Sequence, residues 1–88
     1  MINAIEMVDL LHNNIVKVRF TKVDGSERMM RATLSKMYLP EDHHEHAAKT
    51  VLTEEIGNHI RCWDMDIGAW RSFRMDSVLG YQTEIGQR

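Results

Sequence analysis

The sequence is poor in most of the features that announce a function. It has one cysteine, Cys62, so an internal disulfide is excluded and a reducing compartment fits. No apolar run approaches the length of a membrane span. Met1 to Leu11 carries Glu6 and Asp9 and no basic start, so no secretory leader is expected. There is no surplus of positive charge: the formal net charge is −2, whereas a dedicated nucleic-acid binder is usually basic. Binding of that kind would need a local basic face. Also missing are a phosphate-cradling glycine loop, a G-x-S-x-G elbow and an H-E-x-x-H pair. No internal repeat or low-complexity tract is found. Together these absences predict a cytoplasmic protein that is not an enzyme and carries no cofactor and no metal.

What is present is one domain's worth of chain, 88 residues with 43% apolar and 27% charged side chains. At this size the core is thin. Residues 3–12 read as a short helix. Ile5, Val8 and Leu11 recur at three- and four-residue spacing, and Ile2 and Leu10 lie near them. Asn3 with Glu6 forms a candidate capping box. Asn13-Asn14 reads as the stop, on the tolerance of Asn for left-handed geometry. The period then becomes two. Val16, Val18 and Phe20 alternate with Lys17, Arg19 and Thr21, the mark of a half-buried strand. Asp24-Gly25 suits a tight hairpin turn. Glu27 to Leu34 returns, with Met30, Ala32 and Leu34 as its apolar side. Ser35 to Leu39 reads as one helical turn ended at Pro40.

Glu41 to Gly57 is polar and reads as a long connection, with a short helix through Ala47 to Leu52; long loops are often functional. Asn58 to Asp64 and Ala69 to Arg74 form a second hairpin around Asp66-Ile67-Gly68. Met75 to Ser77 is a 3₁₀ turn, Val78 to Tyr81 a closing strand, and Gln82 to Arg88 a frayed end. Five short strands in so small a chain predict a curled, partly open barrel spanning about residues 15–82, because closure hides sheet edges.

The densest chemistry lies in DMDIGAWRSFRMD, Asp64 to Asp76. Trp70 and Phe73 are an odd spacing apart, so they face opposite sides of a regular strand. Phe73, with Ala69 and Met75, is the core candidate. Trp70 then sits outside beside Arg74, and Trp63 can pair across the hairpin. An arginine fork next to an aromatic face suits a phosphate with a stacked base. Arg71 faces the other way. The competing structural reading pairs Arg71 and Arg74 with Asp64, Asp66 or Asp76, so that the stretch mainly builds the barrel.

Lys17, Arg19, Arg28 and Arg31 could form a basic stripe on the first hairpin that tracks a phosphate backbone, against an ordinary solvated face. The EDHHEH run, Glu41 to His46, has metal-ligand residue types, but it lies in a loop without a recognisable ligand spacing; a surface His-rich loop is expected. Cys62, in a predicted strand, reads as a buried inert thiol, with His59 on the opposite face. Seven methionines are many for this length. Met29 and Met30 must face opposite ways, and an exposed Met29 suits contact with a protein.

Two segments, taken together, resemble a known family. Asn14 to Pro40, NIVKVRFTKVDGSERMMRATLSKMYLP, has the order of the opening hairpin of WYL domains. IRCWDMDIGAWRSFRMDSV is similar to their apolar strand ending in an aromatic and an acid, then a turn, then R-x-F-R-hydrophobic-D-x-hydrophobic. Those last positions are Arg71, Phe73, Arg74, Met75, Asp76 and Val78. The resemblance implies a mainly β fold, a small five-stranded Sm-like or SH3-like partly open barrel with an N-terminal α-helix. It also implies ligand sensing, often of nucleotide or nucleic-acid-like molecules, and control of transcription. The compact form, with no attached DNA-binding domain, resembles short WYL-like proteins of tailed bacteriophages, which implies the host cytoplasm. The namesake triad falls on Asn58-His59-Ile60, where only the apolar third member is kept.

Two readings of function follow. The first is a small non-catalytic regulator that contacts a host or phage protein. The second is a nucleic-acid or nucleotide binder using Arg74, Trp70, Arg71, Lys17, Arg19 and Arg31. A homo-oligomeric ring follows from fold analogy alone.

Overall fold

Strand β1 (Ile15–Thr21) forms where the sequence alternates, and it buries Val16, Val18 and Phe20 while Lys17 and Arg19 stay in solvent. The computed structural model describes residues 2–45 and 59–84. β2 (Glu27–Thr33) returns antiparallel, with Val18 opposite Met30 and Lys17 opposite Arg31. β3 (His59–Asp64) and β4 (Ala69–Arg74) make the second hairpin, and β5 (Val78–Thr83) pairs with β1. All pairs are antiparallel, and the strand order is β4-β3-β2-β1-β5. A 3₁₀ turn, Met75–Ser77, carries the chain from β4 at one end of the sheet to β5 at the other.

The fold is therefore mainly β, as expected, a five-stranded sheet with an N-terminal helix. β4 and β5 do not pair, so the sheet is not closed into a barrel and a seam stays open between them. Side chains bridge part of that seam: Phe20 of β1 stacks on Phe73 of β4, with centroids 5.9 Å apart and planes 28° apart. An offset stack of this kind favours contact where the backbone ladder is missing.

Helix α1 (Ala4–Asn13) caps the core with Met7 and Leu11, both fully buried. Val8, Ile2 and Leu10 pack beside them as expected, but Ile5 does not: it is 71% exposed, and Met7 takes its place. Apolar residues occupy more than one side of this helix, so spacing alone does not pick the buried stripe. The capping box is present: Asn3 Oδ1 accepts from Glu6 N at 2.8 Å, and Glu6 Oε1 accepts from Asn3 N at 3.0 Å. The stop works differently from the expectation. Asn14 is extended, and the side-chain amides of Asn13 and Asn14 donate to the carbonyls of Asp9 and Leu10 at 2.8 and 3.1 Å.

The first hairpin turn is also wider than a two-residue turn. Lys22 N donates to Ser26 O at 2.7 Å, and Gly25 takes φ 90°. Asp24 Oδ1 accepts from the Ser26 hydroxyl and amide at 2.6 and 3.0 Å, which holds its carboxyl below the usual range. At the chain's end, β5 runs through Thr83 and Glu84 N donates to Ile15 O at 2.9 Å, so the strand outlasts the expected frayed start at Gln82. The expected helix through Ala47 to Leu52 lies outside the described residues, as does His46 of the EDHHEH run.

Candidate functional site

The hairpin register brings three groups of side chains together. The first is an aromatic cluster on the outer face of β3 and β4. Trp63 stands opposite Trp70, and their rings meet edge to face at 5.5 Å. His43, from the 3₁₀ turn Glu41–His43, lies 4.7 Å from Trp63, and its Nδ1 accepts from Trp70 Nε1 at 3.2 Å. The cation over Trp70 is Arg61, with Cζ 5.3 Å from the ring centroid. Alternation placed Arg74 on the Trp70 face correctly, but the cation that stacks there is Arg61, which the sequence reading passed over. Its signal was available, since Arg61 and Trp63 share a face two residues apart.

The second group is the basic stripe. Lys17, Arg19 and Arg31 do share the outer face of β1 and β2. Arg28 does not: it stands opposite Phe20 and reaches Asp64, Nη2 to Oδ2 at 2.8 Å. Arg31 is clamped. Its Nε and Nη2 donate to the two carboxylate oxygens of Glu84, the second at 3.0 Å, and Nη1 donates to Asp66 at 3.0 Å. The Glu84 bonds, then the Asp66 bond, hold the guanidinium above its ordinary pKa, and the Arg31 fork holds Glu84 below the usual carboxylate range. Arg19 lies 3.9 Å from Glu27. Of the stripe, Arg31 is thus neutralised by the chain's own acids, Arg19 is loosely paired, and Lys17 makes no ion pair among the described residues.

The third group lies where the end of β1 and the first hairpin turn face β4 and the Met75–Ser77 turn. A cleft of about 540 Å³ there has the Phe20–Phe73 stack as its floor and Lys22, His59, Ser72, Arg74 and Ser77 around it. Arg74 Nη2 donates to Asp76 Oδ2 at 2.7 Å, one of the three acids named for it in the structural reading. Arg71 stands opposite Cys62 and makes no ion pair among the described residues. Of the other two acids, Asp64 is held by Arg28 and Asp66 by Arg31.

Cys62 is fully buried, and burial, with the nearby Asp64 charge second, pushes its thiol up to about 12. A thiol in that state is a weak nucleophile. In the EDHHEH run, His43 turns to the tryptophans and His44 Nε2 lies 3.1 Å from Leu39 O. Among the described residues, no three His, Cys, Asp or Glu side chains converge as metal ligands. No helix among them is long and apolar enough to cross a membrane.

A further surface is apolar with acids along one side. Between α1 and β5 runs a groove of about 630 Å³ lined by Ile2, Ile5, Leu10 and Tyr81, with Glu6 and Asp9 on the helix side. Met29, as expected for one of the adjacent pair, is exposed at 56% while Met30 is buried. A family model described as WYL_2, Sm-like SH3 beta-barrel fold, matches residues 4–79 of the chain. No curated protein and no solved structure matches it.

Proposed function

Because the chain belongs to the WYL_2 family of Sm-like SH3 β-barrel folds, we propose that it is a small non-catalytic binding module that regulates by contacting another protein. The observation that supports this most is how its charge is distributed. Arg28, Arg31 and Arg74 are engaged by Asp64, by Glu84 and Asp66, and by Asp76, so these three guanidiniums are already committed to the chain's own carboxylates, in a chain of net charge −2. Meanwhile Ile5, Met29, Leu79 and Tyr81 stand in solvent. Exposed apolar and methionine side chains on a small scaffold are the usual material of a protein contact. The likeness to short phage proteins supports a role in a host or phage process in the cytoplasm.

Gentle affinity capture from host lysate tests this, with and without nuclease. The reading expects a protein partner in constant proportion that survives nuclease. Recovery of nothing, or of a partner that nuclease removes, contradicts it.

A second reading has its own support in the cleft between β1 and β4. Lys22, His59 and Arg74 around an aromatic floor suit a nucleotide or a single-stranded nucleic acid, whose bases stack and whose phosphates need cations. Its signature is salt-steep binding that Arg74→Ala abolishes.

A further inference from the structure

The groove between α1 and β5 says what kind of partner the module takes. Three features converge there. First, β5 is an end strand of the sheet, and among the described residues no strand pairs with its outer edge. Second, that edge carries neither charge nor proline, and its one irregularity is the register shift between Val78 and Gly80, which leaves Gly80 to Thr83 in regular pairing. End strands are commonly blunted by charge or proline, and β4 at the other end carries Arg71 and Arg74, whereas β5 reads Val-Leu-Gly-Tyr-Gln-Thr with neither. Third, the groove flanking it is apolar with an acidic wall: Ile2, Ile5, Leu10 and Tyr81 on one hand, Glu6 and Asp9 on the other, with no cation among its lining residues.

We propose that β5 accepts an extended segment of another protein as a sixth strand, whose inward side chains are apolar residues seated beside Tyr81 and Ile5 and lysines or arginines facing Glu6 and Asp9. The backbone ladder supplies affinity and the alternate side chains supply specificity, as in other strand additions. Tyr81 lies opposite Val18, on the core side of the sheet, so a strand added next to β5 turns every second side chain toward α1. The acidic wall then selects charge by attraction to basic segments and repulsion of acidic ones. This assignment rests on the protein-binding reading, and it names the edge and the chemistry.

The test selects binders from a random library of short peptides against the whole protein and measures the selected, labelled peptides by anisotropy. The expected result is alternately apolar peptides enriched in Lys or Arg, weakened about tenfold or more by Tyr81→Asp and little changed by Arg71→Ala. A double variant, Glu6→Gln with Asp9→Lys, keeps an acceptor for the helix cap and is expected to lose the preference for basic peptides. Acidic binders, or basic ones indifferent to Tyr81→Asp, overturn the edge assignment and leave the protein-binding reading standing. A library that yields no binder overturns both. Sedimentation of the protein alone covers the remaining occupant: self-association dispersed by Tyr81→Asp makes a second copy the partner and overturns the proposal.

Discussion

With only 1% of its surface exposed, Asp64 accepts from Arg28 at 2.8 Å and from the amides of Asp66 and Ile67 at 2.9 and 3.4 Å. Removing it leaves a half-buried guanidinium and two turn amides without their acceptor. Asp64→Ala is expected to cost about 3 kcal/mol in urea denaturation, and Asp64→Asn, which keeps an acceptor for the turn, visibly less. By contrast, Arg74 and Asp76 are both more than half exposed, so Arg74→Ala is expected to change stability by less than about 1 kcal/mol.

Glu84 gives a pH dependence. Its carboxyl is lowered in the folded state, chiefly by the Arg31 bonds. A lowered carboxylate stabilises the fold fully above its unfolded pKa, near 4.3, and that contribution fades as pH falls through the folded value. The denaturation midpoint is therefore expected to drop below about pH 4.3, and Glu84→Gln is expected to be less stable at neutral pH with a shallower acid limb.

The elements divide into those whose fate is local and those whose fate is not. The α1 cap is local, and Asn3→Ala is expected to cost about 1 kcal/mol, read from the same denaturation curves. The Trp63–Trp70–His43 cluster joins β3, β4 and the 3₁₀ turn at Glu41–His43. Trp70→Ala is expected to cost about 2 kcal/mol and to move Trp63 emission to longer wavelength as the ring meets water. The same division explains what could be read in the sequence. Alternation at Val16, Val18 and Phe20 gave β1 and its faces, because a strand's period belongs to the strand itself. The odd spacing of Trp70 and Phe73 gave their opposite faces. Alternation names a face but not a partner. Arg28 with Asp64 and Arg31 with Glu84 lie 36 and 53 residues apart, so the capture of the arginines appears only once the sheet is folded. On the helix, Leu11, Val8, Ile2 and Leu10 pack on the core as their spacing implies, and only Ile5 gives way to Met7: both are apolar, and the sheet decides which one it covers.

At the scale of the molecule, two openings remain in a small sheet. One is the cleft between the end of β1 and β4, which Phe20, Phe73 and Arg74 line. The other is the uncharged outer edge of β5. Protein contact is proposed for this fold because Arg28, Arg31 and Arg74 are paired with its own carboxylates, in a chain of net charge −2. That claim is tested most directly by anisotropy titration against labelled single-stranded DNA, RNA and duplex DNA at low and moderate salt, with Arg74→Ala alongside. The account predicts no binding to any of the three even at low salt. Binding that falls steeply with salt and disappears in the Arg74 variant would contradict it and move the function to the cleft between β1 and β4.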